Sequence, residues 1–571
     1  MSGLVPPADV VGMLAQIELA SGIGRLRELC GLETAGPEIV EAVLSEAARF
    51  SNGWLAPLNP IADRAGCRIE NGRVRTPPGH REAWEAYRDG GWLGLDQPAA
   101  FGGQDLPLFL LTACQEVFDR GSAAFGMMAT SQRGAARLLA AHADEAIKAE
   151  WLPMLVSGQW GATICISEPD AGSDLGRIRT MATPTGDGDW SITGEKIWIS
   201  FGDHDLAPRI GHCLLARTPD APPGGQGLSL FLVPDLLDGG ERNSIVVRRI
   251  EEKLGLHGSP TCALGFESAR GRLIGVPGRG LAQLFTMITL MRLMVAVQGI
   301  GIGAGAADLA MAYAEERRQG GSPDAPAVPI VNHADVQRML SAMVSRVEAV
   351  RSLTFSAAVH ADIARLSDDA AEREQSQALV QWLLPILKTF GGETGFETAS
   401  DAIQVFGGAG YVQDWPVEQL LRDSRVFTIF EGASGVQALD LVHRRLRRDG
   451  GAGLRAFLEI ARGDCGTSAS PWAAAALSPV LDLLADSAER LSSSKEDAGA
   501  YHFLRLAAYA ATGWAALRMV DEAARDPVRI RLSAGASYWL TGLGHRATME
   551  HGLIVAAETG QALFGAIRKL G

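Results

Sequence analysis

The alternation of apolar and polar positions divides the chain into four stretches, one helical, one β and then two more helical. The first, from about Pro37 to Gly158, is rich in Ala, Leu and Glu at helical spacing. Within residues 38–50 the apolar side chains recur every three or four positions and form one stripe, made of Ile39, Val43, Ala47 and Phe50. This stretch predicts a set of amphipathic helices.

The second stretch, from Gly161 to about Gly278, contains short runs rich in β-branched and aromatic residues. Three of them, WSITGEKIWIS, GLSLFLVPD and NSIVVRRI, are separated by clusters of Gly, Asp and Pro. Runs of this length that are bounded by turn residues are typical of strands. We expect an antiparallel sheet or a small barrel here.

Helical spacing returns from Leu281 to about Arg447, with long helices predicted around Val336–Leu353 and Ala370–Phe390. The remainder, from Gly450 to Gly571, is rich in Ala and Leu and predicts a further helical unit.

The most apolar segment, Leu284–Gly303, is interrupted by Arg292, Gln298 and three glycines. A membrane-spanning helix needs about 20 predominantly apolar residues with few charges. A buried helix fits the interrupted pattern better, so we expect no transmembrane segment.

Together these stretches predict a mainly α protein with a central β domain. A chain of 571 residues exceeds what one hydrophobic core usually organises, so several packed units are expected. They are an N-terminal extension, an N-terminal helical domain, a middle β domain, a C-terminal helical bundle and an additional helical domain, at residues 1–36, 37–160, 161–280, 281–447 and 448–571.

Composition narrows the class of protein. Hydrophobic residues make up 47% of the chain and charged residues 21%, as in ordinary soluble proteins. The net charge is −14, from 52 Lys and Arg against 66 Asp and Glu, which argues against a protein built to bind nucleic acid. The seven cysteines are scattered, so we expect reduced thiols and no metal site. The first residues lack the pattern of a signal peptide, and we expect a cytoplasmic protein.

Two motifs in the β stretch are candidates for a ligand site. Ile166–Asp174 (ISEPDAGSD) combines glycine with serines in a turn that can present backbone N–H groups to an anion or to the polar edge of a ring. Gly194–Ser200 (GEKIWIS) places Trp198 two residues before a hydroxyl, on the same face of a predicted strand. The alternatives are a plain turn and a core tryptophan.

Two further motifs lie in the third stretch. Gln404–Tyr411 (QVFGGAGY) has a glycine cluster that allows close approach to a phosphate or to another chain, or that simply ends a helix. In Arg422–Ser434, Glu431 follows the apolar run Val426–Phe430. A carboxylate held against an apolar surface is desolvated, which raises its pKa and suits it to proton transfer. The alternative is a surface glutamate that caps the next helix.

Two other signals favour structural roles. Gly299–Gly305 (GIGIGAG) has the spacing of a dinucleotide-binding loop, but it follows no strand and opens no βαβ unit. Small residues in a closely packed helix explain it better. The basic run His443–Arg448 is expected to be a solvated helix end that joins two domains.

In their order and spacing, the four motifs resemble those of the acyl-CoA dehydrogenase family. The segments SEPDAGSD, KIWIS, FGGAGY and RDSR…FEGAS follow one another between Ile166 and Ser434. Further segments, such as FGGQ at 101–104 and KLGLHGSPTC at 253–262, resemble a long subgroup with a C-terminal helical extension. This subgroup includes 3-(methylthio)propanoyl-CoA dehydrogenases. The resemblance implies the family's fold, with a helical domain, a β domain and a C-terminal four-helix bundle.

The resemblance implies an FAD-dependent enzyme that converts an acyl-CoA thioester into a trans-2-enoyl-CoA. Glu431 aligns with the family's catalytic base, which removes the α-proton while the β-hydrogen leaves as hydride. The implied substrate is 3-(methylthio)propanoyl-CoA or a fatty acyl-CoA, and electron-transfer flavoprotein is the implied acceptor. A homodimer or a dimer of dimers is implied, because a neighbouring subunit completes the FAD site in this family.

The resemblance also implies the other site residues. FAD would contact, in chain order, Ile166, Ser167, Ser173, Trp198, Ser200, Arg317, Gln404, Gly407 and Gly408. Ser173 and Arg292 would lie near the substrate. The chain departs from the family's pattern at Ser167 and Ser200, where threonine is common, and at Ala433, where threonine usually follows Glu-Gly. Ala433 is therefore not expected to be a ligand.

Two alternatives stay open. The first is an acyl-CoA oxidase-like flavoprotein that passes its electrons to O₂, which the sequence separates poorly from a dehydrogenase. The second is a nucleic-acid-binding flavoprotein of the same fold, which would use the arginines at 444–448 to contact phosphates.

Overall fold

The structure is a computed structural model that describes residues 4–186, 188–494, 496–521 and 527–568. The predicted class, mainly helical with a central β domain, is confirmed. The chain divides into two compact units, the first formed by Met1–Arg49, Pro107–Arg120 and Arg292–Gly571 and the second by Phe50–Leu106 and Gly121–Met291. The domain boundaries given above stay predictions.

The helices that precede the large sheet are α1 (Val10–Glu18), α2 (Ile23–Cys30), α3 (Leu32–Ala35), α4 (Pro37–Phe50), α5 (Ala56–Ala65), α6 (His80–Asp89), α7 (Leu108–His142) and α8 (Glu145–Val156). An aspartate precedes α1 and another precedes α8. Asp9 accepts a hydrogen bond from the Gly12 N–H, and Asp144 accepts one from the Ile147 N–H. Each satisfies an amide that a helix start leaves without a partner.

The helix predicted over residues 38–50 is present as α4, but its buried stripe was wrong at the N-terminal end. Val40 and Leu44 are buried there, whereas Ile39 is 36% exposed. The segment has two adjacent apolar rows, and both have helical spacing. Periodicity alone could not decide which row faces the core.

The strands are β1 (Arg68–Glu70), β2 (Arg73–Arg75), β3 (Gly161–Cys165), β4 (Met181–Pro184), β5 (Trp190–Ser200), β6 (Ile210–Arg217), β7 (Leu228–Pro234), β8 (Ile245–Ile250) and β9 (Thr261–Ile274). The three runs predicted as strands correspond to β5, β7 and β8, which confirms them. β1 and β2 form a separate antiparallel hairpin.

The large sheet closes into the small barrel that was one of the two expected forms. Its strands follow the order β3-β6-β4-β5-β9-β7. β7 also pairs with β6, which closes the ring, and β8 pairs with β9 outside this order. A purely antiparallel arrangement was wrong, because β3 and β4 both run parallel to β6. β6 is buried almost throughout, so its sequence lacks the alternation of a half-exposed strand. The centre of the barrel is filled by side chains such as Ile192, Leu214, Phe231 and Phe266.

The helices after the barrel are α9 (Gly280–Glu316), α10 (Ala334–Leu366), α11 (Ala370–Phe406), α12 (Val417–Ser424), α13 (Ser434–Leu439), α14 (Ala452–Thr467), α15 (Pro471–Ser493), α16 (Ala500–Asp521), α17 (Pro527–Thr541) and α18 (Leu543–Arg568). The two helices predicted around 336–353 and 370–390 lie within α10 and α11, which are both longer. The further helical unit predicted beyond residue 450 corresponds to α14 to α18.

The glycines of the GIGIGAG segment let α9 approach α11 closely. A Cβ added to Gly299 would lie 2.0 Å from the Gly391 carbonyl oxygen, and one added to Gly395 would lie 2.6 Å from the Gly299 carbonyl oxygen. Both distances are far below van der Waals contact, so larger residues would push the helices apart. The structural interpretation of this motif is therefore confirmed.

By length and apolar composition, α9 is the one helix of the described residues that could cross a membrane. However, 67% of its most apolar window is buried inside the protein. A core helix of a soluble protein has the same combination of length, composition and burial.

A polar network fastens the C-terminal helices to α11. Arg505 on α16 donates to Glu393 on α11 and to Glu550 on α18, each at 2.8 Å. The Tyr501 hydroxyl donates to the same Glu393 at 2.6 Å. The side chains of Glu393 and Glu550 are only 11% and 2% exposed, and Arg505 compensates both charges, while His502 also contacts Glu550 at 2.8 Å.

Replacement of Arg505 by methionine should lower the midpoint of thermal unfolding, because both carboxylates would lose the guanidinium that they share. Removing one partner of a buried pair costs about 3–5 kcal/mol, and the 19% exposure of Arg505 places the expected loss near the lower end. Arg462→Met is the matched control, since it breaks an exposed pair with Asp482. Equal unfolding midpoints for the two variants would contradict a stabilising role of the network.

Candidate active site

The two motifs of the β stretch lie side by side in the second unit. Ser167 follows β3, and its carbonyl oxygen accepts a hydrogen bond from the Ile197 N–H at 2.9 Å. The Lys196 ammonium donates to the Ile166 carbonyl oxygen at 3.0 Å and to Glu168 at 2.8 Å. The structure therefore brings together the predicted residues Ile166, Ser167, Trp198 and Ser200.

A buried ion pair that the sequence analysis missed holds these motifs together. The side chains of Glu168 and Lys196 are 7% and 0% exposed. Glu168 also accepts hydrogen bonds from the Arg179 N–H and from the N–H and hydroxyl of Thr180. Burial raises the pKa of the Glu168 carboxyl, but Lys196 and these donors outweigh it and hold the pKa below its ordinary value. Glu168 and Lys196 each lie inside one of the two motifs, and their opposite charges were the sequence signal for this pair.

Trp198 is not a core residue, which excludes the alternative considered for it. Its side chain is 59% exposed, and its φ of 63° lies in the left-handed region. The register between β5 and β9 shifts between Lys196 and Ile199, so Trp198 lies at a bulge of the barrel. Such a backbone costs about 1–3 kcal/mol for a residue other than glycine and is found mostly at functional sites.

The three predicted serines offer hydroxyl groups around this bulge and its neighbouring turn. Ser167 and Ser200 are half-buried, and Ser173 is exposed. None of the three hydroxyls forms a hydrogen bond with another described residue. An exposed indole near hydroxyls that lack partners is a suitable surface for a planar ring with polar edges.

Glu431 occupies a tight turn in the first unit. The chain passes through a short 3-10 helix at Arg425–Thr428 and then takes two left-handed residues, with φ of 53° at Glu431 and 89° at Gly432. Lys388 on α11 donates to the Gly432 carbonyl oxygen at 2.7 Å. Gln437 on α13 donates to the carbonyl oxygens of Glu431 and Gly432 at 3.0 and 3.3 Å.

The helix-cap alternative for Glu431 is wrong. The residue that precedes α13 is Ala433, and no side chain caps the helix there. Glu431 as a whole residue is exposed, although many protein atoms surround its carboxylate. This surrounding protein raises the pKa of the Glu431 carboxyl, while the charges of Lys388 and then Arg292 lower it, with a net shift upward.

Lys388 and Arg292 are the cations that act on Glu431. Lys388 is fully buried, and burial lowers the pKa of its ammonium to about 8. Arg292 donates to Asp440 at 2.7 Å, and Asp440 also pairs with Arg444 at 3.2 Å. The structure thus places Arg292 in a buried ion pair close enough to influence Glu431. Lys388 was missed, although a single charge inside the apolar run 383–390 was a signal for it.

The other predicted residues form an exposed patch in the first unit. Arg317 follows α9, and its exposed side chain forms no hydrogen bond or ion pair with another described residue. Gln404, Gly407 and Gly408, at the end of α11, are exposed as well. Tyr313 of α9 stacks on Phe406 of α11 with ring centroids 4.1 Å apart, and Trp415 packs against both rings. This aromatic cluster, which the sequence analysis missed, joins the ends of the two helices.

The arginines considered for nucleic-acid binding are already paired with acidic residues. Arg444 pairs with Asp440, Arg445 and Arg448 with Asp449, and Arg447 with Asp497. Pairing within the protein leaves less charge for phosphate contacts, so the structure does not favour that alternative.

Comparison with known proteins identifies the family of the chain. Residues 41–159, 163–269 and 278–446 match the N-terminal, middle and C-terminal domains of acyl-CoA dehydrogenases. The helices α14 to α18 lie beyond these matched regions.

Two curated relatives cover most of the chain. It is 39% identical over 493 residues to 3-methylmercaptopropionyl-CoA dehydrogenase of Ruegeria pomeroyi. This alignment covers 83% of this chain and 84% of that protein. It is 33% identical over 438 residues to the broad-specificity linear acyl-CoA dehydrogenase FadE5 of Mycobacterium tuberculosis. This alignment covers 72% of this chain and 70% of that protein.

Solved structures show the same fold. Caenorhabditis elegans ACDH-11, in complex with C11-CoA, aligns with a TM-score of 0.77 at 21% identity and covers 90% of this chain and 89% of its own. An acyl-CoA dehydrogenase of Bacillus anthracis complexed with FAD aligns with a TM-score of 0.75 at 19% identity. The alignment covers 93% of this chain and 91% of the other. The chain therefore belongs to the acyl-CoA dehydrogenase family, and it is an oxidoreductase that dehydrogenates acyl-CoA thioesters.

Proposed function

We propose that the chain is an FAD-dependent dehydrogenase that produces a trans-2-enoyl-CoA, with Glu431 as the base that removes the α-proton. The observation that carries this proposal is the turn at Glu431. It presents a carboxylate of raised pKa in a left-handed backbone conformation that is stabilised by two side-chain donors. A raised pKa brings a carboxylate closer to the working pH, where a general base is most effective.

The backbone of the same turn supports a second role in the reaction. The Glu431 N–H donates to no acceptor among the described residues. The α-proton of a thioester is weakly acidic, and its removal places negative charge on the thioester oxygen. A backbone N–H held toward that oxygen stabilises the developing charge, as in an oxyanion hole. Glu431 would then accept the proton with its side chain and bind the carbonyl through its main chain.

The residues of the barrel bulge fit an isoalloxazine ring. Trp198 would pack against the ring, while Ile166, Ser167 and Ser200 would line its polar edge and Ser173 would lie near the pyrophosphate or the substrate. Their exposure and the absence of hydroxyl partners among the described residues support these assignments. Bound FAD would supply the two-electron acceptor for the hydride that leaves the β-carbon.

The exposed patch of Arg317, Gln404, Gly407 and Gly408 supports the proposal that a neighbouring subunit shares the FAD site. Tyr411, next to this loop, is 86% exposed and extends the patch. We propose a homodimer or a dimer of dimers in the cytoplasm that passes electrons to electron-transfer flavoprotein. Light scattering on the purified holoenzyme would measure the assembly, and a monomer with full FAD content would contradict it.

The proposed substrate is 3-(methylthio)propanoyl-CoA or a fatty acyl-CoA. The support is the similarity, at 39% and 33% identity, to two relatives whose names refer to 3-methylmercaptopropionyl-CoA and to linear acyl-CoAs. Anaerobic bleaching of the flavin band with a panel of acyl-CoAs would rank the substrates. Rapid stoichiometric formation of peroxide in air would instead favour the oxidase-like alternative.

Replacement of Glu431 by glutamine should abolish bleaching of the flavin by substrate while FAD stays bound. Glutamine keeps the shape of the side chain but cannot accept the α-proton, and loss of a general base typically costs about 10²- to 10⁴-fold in rate. Stopped-flow absorbance under anaerobic conditions measures this rate. Glu459→Gln, at an exposed glutamate of α14, is the control and should bleach normally. Near-normal bleaching by the Glu431 variant would refute its role as base.

Replacement of Trp198 by alanine should weaken FAD binding by roughly tenfold, because an aromatic contact with the ring is lost. Titration of the apoprotein with FAD, followed by quenching of flavin fluorescence, measures the dissociation constant. Trp472→Ala is the matched control, since that tryptophan is also about half exposed (47%) but lies in the C-terminal helices. If both variants bind FAD with the same affinity as the native protein, the assignment of Trp198 is wrong.

The pH dependence of the reaction should follow the ionisation of Glu431. Because its pKa is raised, the carboxylate is protonated at a higher pH than an ordinary glutamate, and only the ionised form is a base. We therefore expect kcat/KM to fall as the pH is lowered through that pKa, on an acid limb that begins above the range of an exposed glutamate near pH 4. An unchanged kcat/KM down to about pH 4 would contradict this.

A further inference from the structure

The turn that carries Glu431 is held from behind by two side chains on different helices. Lys388, on α11, is fully buried and donates to the Gly432 carbonyl oxygen at 2.7 Å. Gln437, on α13, is 1% exposed and donates to the Glu431 carbonyl oxygen at 3.0 Å and to that of Gly432 at 3.3 Å. Two successive carbonyl groups of the turn are therefore occupied by buried donors.

This turn requires such support because its conformation is unfavourable. Glu431 has a φ of 53°, and a residue with a side chain rarely adopts the left-handed region unless its surroundings enforce it. The next residue is glycine, with a φ of 89°, and continues the turn without a steric penalty. The donors on the two carbonyl groups fix the peptide planes on the C-terminal side of Glu431 and so limit the directions available to its side chain.

The charge of Lys388 adds a second effect. Lys388 from α11 and Arg292 from α9 are the charged groups that act on the Glu431 carboxyl, and both favour its ionised form. Arg292 is already paired with Asp440, which also meets Arg444. The Lys388 ammonium donates to the Gly432 carbonyl and has no carboxylate within ion-pair distance among the described residues. Lys388 is therefore the cation whose removal changes the field at Glu431 most directly.

We propose that Lys388 and Gln437 are positioning residues for α-proton transfer, which together hold the Glu431 turn in its reactive conformation, and that Lys388 also keeps the carboxylate ionised. This inference rests on the proposed role of Glu431 as base. Neither residue touches the substrate in this account; both act through the turn. The C-terminal helices contribute indirectly, because α16 packs against both α11 and α13.

Two substitutions separate the effects of geometry and charge. Lys388→Met removes the donor and the charge at similar volume, and should move the acid limb of the kcat/KM profile upward by roughly one pH unit. The direction follows from the sign of the interaction, because the loss of a nearby positive charge raises the pKa of a carboxyl. Gln437→Leu removes two neutral hydrogen bonds, and should lower kcat by roughly tenfold without moving the acid limb.

A third variant keeps the test independent of folding defects. Lys388→Gln retains a donor for the Gly432 carbonyl but carries no charge, so it should recover part of the plateau kcat while its acid limb stays shifted. All variants are compared as holoenzymes with equal FAD absorbance. Thr398→Val is the matched control, since Thr398 is a buried residue of the same helix whose hydroxyl has no partner among the described residues.

The outcomes distinguish this proposal from the role of Glu431 itself. If Lys388→Met has the pH profile of Thr398→Val, the electrostatic part is wrong, and if Gln437→Leu keeps the control kcat, the positioning part is wrong. In both cases Glu431→Gln would still be inactive. If Glu431→Gln bleaches normally, the proposed base is wrong, and the present inference fails with it.

Discussion

The left-handed turn at Glu431 and Gly432 is the constraint on which the active half of the first unit depends. Helices must approach this turn closely to support it, and glycines make the approach possible. A Cβ on Gly392 would lie 2.8 Å from the Phe427 carbonyl oxygen, just before the turn, and one on Gly391 would lie 2.7 Å from the backbone of α9 at Ala296. α11 therefore packs between α9 and the Glu431 segment, and from this position Lys388 reaches the Gly432 carbonyl.

The second unit uses a similar arrangement around Trp198. A buried ion pair between Glu168 and Lys196 joins two motifs that are far apart in the chain. The strand then has a bulge, and the Trp198 side chain there is exposed to solvent. In each unit a residue at positive φ, Trp198 or Glu431, lies next to buried polar groups. The cost of such conformations is consistent with selection for function and not for stability alone.

Much of this could be predicted from the sequence, and the exceptions have physical reasons. The strand Trp190–Ser200 and the long helices follow from local periodicity, whereas the role proposed for Glu431 comes from the resemblance of four motifs to a family. The parallel pairing of β3 with β6 was missed because it depends on contacts across a long stretch of chain. The single charge in the apolar run 383–390 marks Lys388 as unusual, but its partner could not be predicted, because that carbonyl lies 44 residues away in the chain.

The central claim is that Glu431 transfers the α-proton, and proton exchange tests it most directly. An acyl-CoA analogue with sulfur at the β-position cannot lose a β-hydride, so exchange of its α-hydrogen with D₂O reports proton transfer alone. The native holoenzyme should exchange this hydrogen, as followed by NMR, and Glu431→Gln with full FAD content should not. Exchange at the same rate in both proteins would contradict the account.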